Sequence, residues 1–155
     1  MWHNQAILSE AKFALQGSLK ELERLAAEVE QFCAANRLDG EAAFQLNLAL
    51  EELFVNAVRH GGCEGIADAA QIRLIAEAGG VQVQFRDRGR AFDPTEAPAA
   101  GLLTPLAERE AGGLGIHLVR EIMREIEYRR EDGWNVLRMR RIAPAAVGQT
   151  EEFKS

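Results

Sequence analysis

Apolar residues recur at helical spacing between residues 41 and 60, where Leu46, Leu50, Leu53 and Ala57, with Phe54 and Val58 beside them, form one stripe. The stripe predicts a buried helix from about Glu41 to His60, with Asp39 as its N-cap and Gly61-Gly62 as its stop. Upstream, Leu22, Leu25, Ala26, Val29, Phe32 and Cys33 make a second amphipathic stripe, running to about Asn36 from a capping box at Ser18-Leu19-Lys20-Glu21. Residues 6 to 15 alternate loosely and predict a first strand ended by Gly17. Period-two alternation marks Gln71–Glu77 and Val81–Phe85 as a hairpin about Gly79-Gly80, and Glu127–Arg130 with Trp134–Arg140 as a closing hairpin about Asp132-Gly133. Between the hairpins, Ile116, Leu118, Val119, Ile122 and Met123 give a third helical stripe, and the polar stretch after Pro144 reads as a disordered tail.

Polar residues that interrupt this pattern are where chemistry is sought. Glu52, Asn56 and His60 stand four and four apart and share one strip of the central helix. Asn is a mediocre helix former, so helix propensity gives no reason for Asn56 in mid-helix. The strip is either a solvated helix edge or a place for hard-cation and phosphate chemistry, with the amide oxygen as a Mg2+ ligand and the carboxylate as proton acceptor. Asp87 follows a strand directly and precedes the turn residue Gly89, so it is either loop polarity or a carboxylate held rigidly at the core's edge. From Arg88 to Ala111 the chain carries three of its four prolines, the texture of a lid or binding loop. Gly112-Gly113-Leu114-Gly115 then opens the third helix, where exposed backbone N–H groups and the helix dipole favour an anion.

Composition narrows these readings. At 155 residues and 47% hydrophobic, the chain makes one domain with a sizeable core. A net charge of −6, from 18 basic and 24 acidic residues, argues against a nucleic-acid partner. Arg129-Arg130, Arg138, Arg140 and Arg141 are expected on a solvated sheet face. Cys33 and Cys63 form no metal or redox motif, and no secretory leader pattern stands at the N-terminus, so a reduced, cytoplasmic protein is expected. No apolar run reaches the ~18 residues of a membrane span. With lysine only at Lys12, Lys20 and Lys154, a P-loop is excluded; the glycine turn has Leu118 where a Rossmann turn needs its third glycine.

Taken in order, Glu52-x-x-x-Asn56-x-x-x-His60-Gly61, Asp87-x-Gly89-x-x-Phe92-Asp93-Pro94 and Gly112-Gly113-Leu114-Gly115 resemble the N, G1 and G2 boxes of the gyrase, histidine-kinase and heat-shock-chaperone (GHKL) ATPase superfamily. Within it, the short lid, the D-x-G-x-x-F-D-P form and the closing G-W-N-V-L-R-M strand most resemble the anti-sigma-factor serine/threonine kinases of bacterial partner-switching systems. The resemblance implies a Bergerat-type ATP-binding fold over residues 1–143, with 144–155 as the tail. That fold is an α+β two-layer sandwich, with a mixed or antiparallel sheet of about five strands and three helices on one face.

It further implies that Asn56 ligates Mg2+ on ATP, Asp87 accepts from the adenine amino group, and Gly89 admits the base. Gly112, Gly113 and Gly115 would close on the phosphates, and Glu52 would act as base toward a serine hydroxyl. His60 is expected to pack behind the site. The departures are Ala91 for the third G1 glycine, Gly61-Gly62 in place of an aromatic after the N box, and Arg109 as the only arginine near the G2 glycines. The implied partners are a small anti-anti-sigma (STAS-type) protein and a sigma factor or other effector, with the kinase itself a homodimer. The alternatives are an ATP-binding partner-switch module without phosphotransfer and a histidine-kinase-like ATPase domain; no phosphoacceptor-histidine hairpin precedes the N box. A blander possibility is an α/β scaffold whose glycines only serve turns.

Overall fold

The computed structural model describes residues 6–96 and 113–142. Five strands form one sheet: β1 (Ile7–Leu15), β2 (Ala70–Glu77), β3 (Gly80–Asp87), β4 (Arg124–Glu131) and β5 (Trp134–Ile142). Their spatial order is β1-β2-β3-β5-β4, and every neighbouring pair is antiparallel. Three helices, α1 (Leu22–Ala35), α2 (Gly40–Arg59) and α3 (Gly113–Ile122), supply the other layer. The proline-rich loop beyond residue 96, Gly112 and the expected tail lie outside the described residues.

The central helix begins where its sequence dictates: Asp39 is extended, and its carboxylate accepts from the Ala42 N–H at 2.8 Å. The helix stops beyond His60, where the Gly61 N–H donates to the carbonyls of Asn56 and Ala57. Its apolar stripe packs Leu46, Leu50, Leu53 and Phe54 against Phe13, Ile72, Leu74, Val83, Phe85, Leu137 and Met139 of the sheet. Leu25, Val29 and Phe32 of α1 and Ile116 and Val119 of α3 complete this core. Alternation along the strands sends the intervening residues to the opposite face, where Lys12, Arg73, Gln84 and Arg86 line a groove of about 400 Å³. In the closing turn Asp132 and Gly133 both take positive φ, 49° and 84°, the geometry that a two-residue hairpin requires.

Three local expectations need correction. The Ser18 hydroxyl caps a short 3-10 turn, Leu19–Glu21, by accepting from the Lys20 N–H. Glu21 does not return to Ser18, as a capping box would have it; its carboxylate accepts from the Gln16 N–H at 3.0 Å. Arg140 and Arg141, expected in solvent, are both buried. Arg140 meets Glu77 at 3.3 Å and Glu125 at 3.2 Å, while Arg141 turns to the helical face and donates to the Gln45 side chain at 2.9 Å. A buried guanidinium is tolerated only with such partners. His60, expected in packing, is exposed at the end of α2.

The packing separates core from surface on the same helix. Leu50→Ala, at a fully buried position, should cost about 2–5 kcal/mol. Phe44→Ala, 66% exposed, should stay within about 0.5 kcal/mol. Urea unfolding of the two variants measures the contrast.

Candidate functional site

One end of the molecule gathers the polar residues singled out above. β3 ends at Asp87, whose Oδ1 accepts from the Gly89 N–H at 2.8 Å and from Asn135 Nδ2 at 3.0 Å. Among the described residues both hydrogen bonds fall on Oδ1 and none on Oδ2, leaving one carboxylate oxygen as an acceptor for a ligand donor. Burial, the largest influence, pushes the Asp87 carboxyl above its ordinary range; Asn135, the Gly89 N–H and the Arg130 charge pull it back.

The loop after Asp87 is packed against the end of α2. The Arg90 N–H donates to the Gly61 carbonyl at 2.9 Å. A Cβ on Gly89 would come within 3.0 Å of that carbonyl oxygen and 2.8 Å of Asp87 Oδ1, and a Cβ on Gly61 within 2.7 Å of the Ala57 carbonyl oxygen. Both positions are glycine for want of space.

From there α2 leads to the other half of the site. Glu52 and Asn56 stand on one strip of the helix, one turn of about 5.4 Å apart, both half-buried. A Cβ on Gly115, in the first turn of α3, would overlap the Glu52 carboxylate. The side chain of Glu52 thus abuts the start of the third helix, and Asn56 lies between that contact and the Gly61–Gly89 contact. Burial first, and the neighbouring Glu51 charge second, push the Glu52 carboxyl upward. Gly113 begins α3.

Three residues of the site were not foreseen. Asn135 of β5 is buried, and its Nδ2 donates to Asp87 Oδ1, to the Arg90 carbonyl at 2.9 Å and to the Gly89 carbonyl at 3.4 Å. Its Oδ1 accepts from the Tyr128 hydroxyl at 2.6 Å, from Arg130 at 3.1 Å and from the Phe92 N–H at 3.3 Å. Arg130 also donates to the Gly89 carbonyl at 2.6 Å. The only advance signal was strand pairing: a closing hairpin beside the strand that ends in Asp87 sets its first residues level with that carboxylate, and the register does align Asp87 with Asn135.

The donor set fits a nucleotide better than a protein-held metal. Among the described residues no group of three or more His, Cys, Asp or Glu is poised to hold an ion. Asn56 offers one amide oxygen, and among those residues its side chain makes no hydrogen bond; a single oxygen ligand suits Mg2+ that arrives with phosphate oxygens. The 400 Å³ groove, on the far face of the sheet among Lys12, Arg73 and Arg86, contains none of these residues.

An acceptor-only carboxylate beside close-approach glycines, a helix carrying Glu52 and Asn56, and a glycine-led third helix are the parts of a nucleotide-binding α+β domain. Residues 15–141 match the histidine kinase-like ATPase domain family, and the chain belongs to it. A serine/threonine-protein kinase from Bordetella bronchiseptica, BtrW, is 32% identical over 109 residues, 70% of this chain and 77% of that protein. Among solved structures, the RsbU and RsbW domains of a Mycobacterium tuberculosis protein align with a TM-score of 0.63 at 16% identity. That alignment covers 88% of this chain, which spans 34% of the longer mycobacterial one. A chain of the SiaB–SiaC complex from Pseudomonas aeruginosa aligns with a TM-score of 0.52 at 14% identity, over 90% of this chain and 92% of that one. Both structures share the fold.

Burial of Asp87 sets a stability test. Its folded pKa lies above the unfolded one, so its contribution is most favourable at low pH and is lost as pH rises through the folded value. Asp87→Asn, which removes the charge and keeps Oδ1, should melt above wild type at pH 8, with the difference closing toward pH 4. Thermal scans without nucleotide read it directly.

Proposed function

We propose that this chain is an ATP- and Mg2+-dependent serine/threonine kinase that phosphorylates a small STAS-type anti-anti-sigma protein and otherwise holds a sigma factor or other effector. The observation that carries the reading is the pairing of Asp87, with Oδ2 available, and Gly89 at one end of α2 with Asn56 and Glu52 along it. The kinase name of its Bordetella relative and the solved partner complex of its Pseudomonas neighbour support the reading. In this account the domain is residues 1–143, acting as a cytoplasmic homodimer; among the described residues no helix is long and apolar enough to cross a membrane.

Each residue then has a chemical task. Asp87 Oδ2 accepts from the adenine amino group, while Gly89 lets the loop backbone lie against the base. Asn56 supplies one oxygen to Mg2+, which neutralises phosphate charge when bound. Gly113 and Gly115 of the first turn of α3, with Gly112 before them in sequence, are assigned to the phosphates, whose charge the helix dipole favours. Glu52 receives the proton of the serine hydroxyl. Its upward pKa shift brings it nearer to neutrality, where a general base works best. Phosphoryl transfer asks mainly for positioning and charge neutralisation, which this set can provide.

Calorimetry with Mg-ATP on wild type and Asp87→Ala tests the first half; binding present in wild type and absent in the variant is the expected result. For the second half, Glu52→Gln should slow phosphorylation of a serine-bearing partner by about 10²–10⁴-fold, the range of a lost general base, with ATP affinity held within about twofold. Undiminished transfer by Glu52→Gln would remove the catalytic assignment. ATP binding without transfer by the wild type would leave a partner switch that uses nucleotide as a ligand.

A further inference from the structure

Asn135 holds the loop proposed for the base at more points than any residue the nucleotide reading requires. Its amide faces three acceptors with Nδ2, namely Asp87 Oδ1 and the carbonyls of Gly89 and Arg90, and three donors with Oδ1, namely Tyr128, Arg130 and the Phe92 N–H. A flipped amide would oppose like with like at all of these contacts, so the ring of partners admits one orientation. The residue is 6% exposed, so its own amide groups, left unmatched, would be stranded in the interior at a cost of about 1–3 kcal/mol. A side chain that only filled space here would need none of these groups.

We propose that Asn135 is a positioning residue of the nucleotide site, holding Asp87 by Oδ1 and the 89–92 backbone by its carbonyls and N–H, so that Oδ2 alone faces the base. This rests on the ATP reading above and adds to it a control that lies 48 positions away in sequence. Tyr128 and Arg130, on the neighbouring strand, act through it: the hydroxyl and guanidinium fix the amide's orientation, and Arg130 also ties down the Gly89 carbonyl.

Positioning of this kind has a pH signature. Asp87 binds an amino group as the carboxylate, and donation from Asn135 and the Gly89 N–H favours that form, as does the Arg130 charge. Cys63, buried on the other side, carries no charge as a thiol; Arg88 and Arg90 lie on Asp87's own loop. ATP affinity should therefore fall as pH drops through the Asp87 pKa, and removing the Asn135 donor should start that fall at higher pH.

The test compares Mg-ATP affinity across pH 5–9 for wild type, Asp87→Ala, Asn135→Asp and Tyr128→Phe. Titration of the nucleotide itself is common to all four profiles. Asn135→Asp keeps shape and Oδ1 but replaces the donors with a second carboxyl oxygen against Asp87 Oδ1. It should lose at least about tenfold in affinity at pH 7, the size of one lost hydrogen bond to a charged group, with its profile displaced to higher pH by both the lost donor and the added like charge. Tyr128→Phe, at a partly exposed position, should lose about threefold with a smaller displacement in the same direction. It decides the matter where Asn135→Asp does not fold. Wild-type affinity and profile in both variants, or in Tyr128→Phe alone where only it folds, would overturn the positioning role while leaving the ATP site standing. Wild type that binds ATP no better than Asp87→Ala would overturn the ATP reading and this inference with it.

Discussion

A half-buried carboxylate at the end of β3 sets the terms for one end of this molecule. Partial burial raises the Asp87 carboxyl, and a charge drawn out of water persists where hydrogen bonds and an opposite charge replace that water. The Gly89 N–H, the Asn135 amide and the Arg130 guanidinium provide them. Bringing these groups into range forces the 87–92 loop against the end of α2, where Gly61 and Gly89 leave no room for side chains. The fold thus carries a local electrostatic penalty, and the glycines, the asparagine and the arginine are its consequences.

The helical layer converts that constraint into a site. α2 buries its stripe of Leu46, Leu50, Leu53 and Phe54 on the sheet, which fixes its rotation and leaves Glu52 and Asn56 half-buried on one strip. Gly115 gives the Glu52 carboxylate space at the start of α3. A single rigid helix therefore joins the loop proposed for the base to the helix start proposed for the phosphates, with Asn56 between them. Phosphoryl transfer depends on such fixed spacing more than on reactive side chains.

Much of this was legible in the amino-acid order. The period of Leu46, Leu50 and Leu53 gave α2, the Asp39 cap gave its start, and alternation gave both hairpins. The antiparallel five-stranded sheet and three-helix layer agree with the expected α+β sandwich, and the box residues Glu52, Asp87, Gly89 and Gly115 fall in the two contacts described. Long-range partners were not legible. Nothing near Asn135 in sequence announces Asp87, because their meeting depends on strand register. Arg140 and Arg141 read as surface residues because burial of a cation depends on Glu77, Glu125 and Gln45, which come from other strands and a helix. Glu21 matched a capping box by spacing, but the 3-10 turn placed the Gln16 N–H nearer.

The central claim is that nucleotide binds across α2, between the loop at Asp87 and the start of α3. Amide hydrogen exchange, with and without Mg-ATP, addresses it most directly because it locates the ligand without assuming any activity. Protection concentrated at residues 87–92 and 113–117, with β1 and the far face of the sheet unchanged, is the predicted result. Exchange that slows elsewhere while those two segments stay as they were would contradict it.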